Sequence, residues 1–173
     1  MNWRALILTA CCLAGACAGP VRTRYGGALP ASTAPAPSLS SLSLAASATD
    51  DDARQAVAEA LGASGIRVDD HSPYEVQIGL SARPDTVGIF TKDGEAIVAP
   101  RRQRLLQSCR NNGYRLALAV SDRRSGAIVA HGWAEESHCA ASLASVLPEL
   151  ARQSVAMLTR PGGTGSTLRW TQD

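Results

Sequence analysis

From residue 40 onward the apolar positions change period several times, and each change marks a predicted element. Ala53, Ala56, Val57, Ala60 and Leu61 recur at the spacing of an amphipathic helix. Asp50, Asp51 and Asp52 stand at its electropositive start, and Gly62 and Gly65 supply the stop. Tyr74, Val76, Ile78, Leu80 and Ala82 then alternate with Glu75, Gln77, Gly79 and Ser81, a strand with one dry face that ends at Pro84. Thr86 to Lys92 reads as another strand, turning through Asp93-Gly94 into Glu95–Ala99. Tyr114–Val120 and Ala127–Ala134 form a hairpin around Asp122–Gly126. With Ser121 facing Ala127, Leu118 stands opposite Ala130 and Val120 opposite Ile128, all on one face.

The last periodic run, Leu143, Val146, Leu147, Leu150, Ala151, Val155 and Leu158, predicts a closing helix. A start near Ser145 puts Pro148 in its first turn, where proline is tolerated, and Arg160-Pro161-Gly162-Gly163 ends it. Ser40 to Ala46 alternates Leu42 and Leu44 with serines and reads equally well as a first strand or as linker. This order predicts an α+β domain over residues 41–160. Its antiparallel sheet of about four to five strands carries two amphipathic helices packed on one face.

The chain before this domain has a different character. Arg4 is followed by Ala5 to Ala18, a stretch without charge that is short for a membrane span and has the layout of a secretory signal. Residues 18–40 are rich in Ala, Pro, Ser and Gly, including Gly26-Gly27 and Ala34-Pro35-Ala36-Pro37, and read as a flexible tether spanning roughly 25–30 Å. Residues 161–173 read as a flexible tail.

Leu13-Ala14-Gly15-Ala16-Cys17 resembles the lipobox of bacterial lipoproteins, in which small residues precede a cysteine that receives diacylglycerol and becomes the mature N-terminus. The family's preferred leucine is one step early here. Leu8-Thr9-Ala10-Cys11 fits the consensus better, but only six residues separate Arg4 from Cys11, too few for the apolar core, which favours Cys17. Ordinary cleavage after Ala18, giving a soluble periplasmic protein, is the alternative. The resemblance implies a lipid anchor that holds the chain at a membrane surface, and Ala18 after the cysteine points to the outer membrane. The resemblance extends to the pattern of "ALGASGI", "SPYE" and "DRRSGAIVAHGWA". Together with the tether and closing helix, these are similar to small bacterial lipoproteins whose periplasmic domain has no known function. This implies a location and a fold, not an activity.

Charge narrows the partners. Seventeen basic against fifteen acidic side chains in 173 residues leave a net charge of +2, which argues against nucleic-acid binding through bulk positive charge. Thirty alanines and only seven aromatic residues suggest an alanine-dominated core.

With the leader removed or Cys17 acylated, the remaining thiols are Cys109 and Cys139, and an oxidising compartment favours a disulfide between them. The predicted hairpin register, continued without a bulge, sets the two opposite each other. Closing about 30 residues would contribute roughly 3–4 kcal/mol in the chain-entropy view. A nucleophilic Cys109 or Cys139 served by His138 or His131 lacks any surrounding nucleophile signature. Cys109, Cys139, His138 and His71 lack zinc spacing.

Arg101, Arg102, Arg104, Arg110 and Arg115 occur with no acid between Glu95 and Asp122. They form either a solvated face or a contact for anions or an acidic partner. Trp133 falls on the hairpin face opposite Leu118 and Ile128, covering a second small core or joining a contact patch. No recurring catalytic or nucleotide-binding motif is present in the sequence. The expectation is a cell-envelope protein, lipid-anchored on the periplasmic side. It has a structural or interaction role with an envelope partner, and no enzyme activity, cofactor, metal or nucleic acid. A soluble periplasmic module binding a small or anionic ligand is the alternative.

Overall fold

The computed structural model describes residues 18–28, 39–45, 51–98, 100, 111–160 and 163–172. Nine strands and two helices are assigned there. They are β1 (Ala18–Ala28), β2 (Ser41–Leu44), α1 (Asp51–Ala63), β3 (Arg67–Val68), β4 (Tyr74–Pro84), β5 (Ile89–Phe90), β6 (Ala96–Val98), β7 (Asn112–Asp122), β8 (Ile128–His138), α2 (Leu143–Leu158) and β9 (Gly163–Gln172). Seven strands form one sheet in the order β3-β2-β4-β7-β8-β1-β9, and β5 and β6 pair in a separate ribbon.

The α+β class therefore stands, but the main sheet is wider than expected and mixed. β2 runs parallel to both β3 and β4, and the other pairings are antiparallel. Ser41–Leu44 is thus a strand, joined through α1 to its parallel neighbour β3. The two strands that widen the sheet at its other side, β1 and β9, lie where a tether and a tail were expected. In β1, Val21 and Thr23 are buried while Arg22 and Arg24 are exposed, an alternation masked by glycines. Those glycines are there for close approach. A Cβ on Gly26 would sit 2.9 Å from the Trp133 ring, and one on Gly27 would sit 2.8 Å from the backbone oxygens of His131 and Met157. Residues 29–38, the rest of the predicted tether, lie outside the described residues.

Both helices contribute to a single core. Leu42, Val57, Leu61, Val76, Leu116, Leu118, Val120, Val146, Leu150 and Val155 are buried together. Leucine and valine supply most of this core, with Ala53, Ala130, Ala134 and Ala151 among its smaller members, so it is not the alanine-dominated interior suggested by composition. α1 begins at Asp51 and buries Ala53, Val57 and Leu61, as its spacing predicts. α2 begins earlier than expected. Ser142 caps it by accepting from the Ser145 N–H at 3.3 Å, so Pro148 lies in the second turn rather than the first.

The segment 86–92 also departs from expectation. Only Ile89–Phe90 pairs, because the Val87 N–H bonds back to the Pro84 carbonyl at 3.0 Å and makes a turn there. The Asp93-Gly94 turn forms, with Gly94 at φ 84°.

The β7–β8 hairpin keeps its faces but shifts its register. Leu118 faces Gly132, Val120 faces Ala130, and Ser121 faces Ile128, with an irregularity between Val120 and Ser121 that leaves Val129 as an extra residue. The turn explains the shift. The Asp122 carboxylate accepts the N–H groups of Arg124 and Ser125 at 2.8 and 2.9 Å, and Gly126 takes φ 70°. The paired register ends at Asn112 and His138, and Cys109 lies outside the described residues.

The N–H donors of Ser125 and Arg124 hold the Asp122 carboxyl below the usual aspartate range. A depressed folded-state pKa stabilises the hairpin above the unfolded value of about 3.9, and this contribution is lost as pH falls through the folded value. An NMR titration is expected to place the Asp122 midpoint below that of an ordinary aspartate. A midpoint at or above it would contradict this turn.

Candidate functional site

The unusual chemistry of the fold lies at the C-terminal end of β8. Its inward positions run Ala130, Gly132, Ala134 and then, against the grain of a dry face, Glu136 and His138. Glu136 is 1 % exposed and His138 3 %. Thr23 of β1, fully buried, donates its hydroxyl to Glu136 Oε1, while Glu136 Oε2 lies 2.8 Å from His138 Nε2. Glu136 and His138 also engage further partners. The Tyr114 ring lies 6.3 Å from the imidazole, centroid to centroid, and its hydroxyl donates to the Ala141 carbonyl at 2.8 Å, just before α2.

A carboxylate shared by a hydroxyl and an imidazole has the donor set of a proton relay. Here it ties β1 to β8 inside the protein. Both carboxylate oxygens are occupied, which is what a buried acid requires. Among the described residues no group of three or more His, Cys, Asp or Glu is arranged to hold a metal ion.

On the opposite face at the same end, Ser137 donates its hydroxyl to the Asp85 carboxylate, which is nearly buried. Gly113 makes this approach possible, since a Cβ there would lie 2.6 Å from Asp85 Oδ1. The Asp85 N–H bonds to the Asn111 carbonyl at 2.9 Å, so the β4–β5 turn is pinned across β7 and β8.

Trp133 lies on the sheet face away from the helices, half-buried above Gly26, with the Arg115 guanidinium 4.5 Å from its ring centroid. Beside it Glu135 pairs with Arg24 and, at 3.7 Å, with Arg115. Trp133 therefore packs between Gly26 and the Arg115 guanidinium. His131 shares this outer face, opposite the face that holds His138.

Cys17, Arg101, Arg102, Arg104, Arg110 and Cys109 lie outside the described residues. Cys139 follows β8 directly and is not a free thiol. Sequence reasoning missed Thr23, Glu136, Tyr114 and Asp85 as a group. The signal for Glu136 and His138 was present: extending the alternation from Ala130 and Ala134 places both on the dry face. Thr23 gave no such signal, because its strand was hidden in a Gly- and Pro-containing segment.

The sequence matches no protein-family model and no curated protein. In three dimensions it is similar to a PDZ domain protein from Parabacteroides distasonis, at a TM-score of 0.53 and 8 % identity over 86 % of this chain. The chain spans 38 % of that protein's length, and the likeness is one of fold alone. PelC from Paraburkholderia phytofirmans, a dodecamer, aligns over 76 % of this chain and 97 % of its own at 15 % identity and a TM-score of 0.44. A minor lipoprotein from Acinetobacter baumannii aligns over 72 % and 98 % at 20 % identity and a TM-score of 0.40. At these scores neither bears on function.

Proposed function

We propose that this protein is a lipid-anchored component of the bacterial cell envelope, facing the periplasm, with a structural or interaction role rather than a catalytic one. The observation that carries the reading is the leader: Arg4, an uncharged run from Ala5, and Leu13-Ala14-Gly15-Ala16 before Cys17.

In this reading Cys139 pairs with Cys109 in an oxidising compartment. Trp133 with Arg115 and Arg24 offers a contact surface on the sheet face that no helix among the described residues covers, and Arg101, Arg102 and Arg104 are further candidate contacts for an anionic or acidic partner. The enclosed Thr23, Glu136 and His138 serve the fold. Metabolic labelling with radioactive fatty acid tests the anchor. Wild-type protein is expected to incorporate label and Cys17→Ser to lose it. Unlabelled wild-type protein released by osmotic shock would instead favour a soluble periplasmic binding module.

A further inference from the structure

The position of β1 says how such an anchor would hold the domain. Along the sheet, Pro84, Asn112 and His138 form one row. Continuing the β1–β8 register, in which Arg24 faces Glu135, brings Val21 onto that row. Ala18, Gly19 and Pro20 reach past it, paired with Gln172, Thr171 and Trp170 of β9. Among the described strands, β1 and β9 thus continue as a two-stranded ribbon roughly 10 Å past this row. Cys17 is joined to the tip of this ribbon by a single peptide bond.

From this we infer that the ribbon formed by Ala18–Val21 and Arg169–Gln172 is the membrane-contacting foot of the domain, seated among lipid headgroups with the strands standing upright on the bilayer. The inference rests on the anchor at Cys17. An acyl group attached one residue from a paired strand gives the domain almost no tether, where a free linker over 18–40 would have lifted it roughly 25–30 Å. The ribbon's composition suits a headgroup layer. It carries Trp170, a residue type enriched at membrane interfaces, in register with Pro20, and Arg169 in register with Val21, with Arg22 exposed on the next position. Residues 18–24 and 163–172 carry no acidic side chain, and Asp173 follows directly on Gln172.

The geometry separates the two tryptophans of the folded chain. Trp170 stands about 7 Å along the strand from Ala18, whereas Trp133, opposite Gly26, stands about 26 Å away. The test uses the full acylated protein in vesicles of phosphatidylethanolamine and phosphatidylglycerol carrying a headgroup spin-labelled phospholipid. Trp133→Phe and Trp170→Phe report each position alone, and mass spectrometry of the same sample reports acylation. The expected result is strong quenching of Trp170 fluorescence and none of Trp133. Quenching of Trp133 as strong as that of Trp170 overturns the upright stance, and no quenching of either overturns the foot. Both results leave the anchor standing if Cys17 is acylated. An unacylated Cys17 overturns the anchor itself.

A ten-residue Gly/Ser insertion between Cys17 and Ala18 in the native sequence, which leaves the core untouched, is expected to reduce the quenching severalfold. Undiminished quenching with the spacer would overturn the claim that direct linkage sets the distance.

Discussion

Glu136→Ala is expected to lower the unfolding free energy by about 2–5 kcal/mol, because two buried hydrogen-bonding groups lose the carboxyl group they face. The side chain joins two strands. It accepts the Thr23 hydroxyl from β1, it faces His138 Nε2 at 2.8 Å, and it does so from β8 in the centre of the chain's polar interior. Truncation leaves two buried polar groups short of a partner in a place with no exposure to spare, and each such group costs about 1–3 kcal/mol. Glu136→Gln keeps the volume and an acceptor for Thr23, so its loss should be smaller. Urea denaturation followed by far-UV circular dichroism measures both. An alanine variant with an unchanged midpoint would mean that the clasp contributes nothing to holding β1 in the sheet.

Gly132→Ala is expected to destabilise by about 3 kcal/mol, at the upper end for overpacking. Gly132 lies on the inner face of β8 where α2 crosses it. A Cβ added there would overlap the Ser154 carbonyl oxygen and lie 3.1 Å from Met157 Cβ. The clash is with helix backbone, which cannot rotate aside, so the helix must lift from Leu116 and Leu118 beneath it. The Ser154 hydroxyl, which donates to the Leu116 carbonyl at 3.2 Å, would be drawn away with it. Gly62→Ala in α1 is the informative contrast. That glycine is exposed with nothing within 4 Å of an added Cβ, so alanine there should stabilise by roughly 0.5–1 kcal/mol. Opposite signs for the two substitutions in one thermal-melting series would establish that helix-to-sheet distance, and not glycine content, governs the effect.

The elements that sequence resolved were those whose burial is one-sided. α1 shows its spacing because Val57 and Leu61 face the core while Glu59 and Gln55 face water, and β4 and the β7–β8 pair show alternation for the same reason. β1 escaped because its dry face, marked by Val21 and Thr23, is short and runs into glycines that read as linker. Gly26 and Gly27 mimic linker composition while serving contact with Trp133 and Met157. The hairpin register failed at a single bulge beside Ser121, which alternation cannot detect because both faces remain consistent on either side. The polar interior was half legible. Glu136 and His138 follow from extending one alternation, but Thr23, which reaches Glu136, and Asp85, which meets Ser137 on the other face, come from elements whose positions depend on the fold.

The central claim is that this chain leaves the cytosol and is held at a membrane by its own N-terminal cysteine. Mass spectrometry of the N-terminal peptide from protein purified from its native cells tests it most directly. The account predicts that the mature chain starts at Cys17 and carries a diacylglyceryl group. Recovery of a peptide beginning at Met1, with Cys17 unmodified, would contradict it.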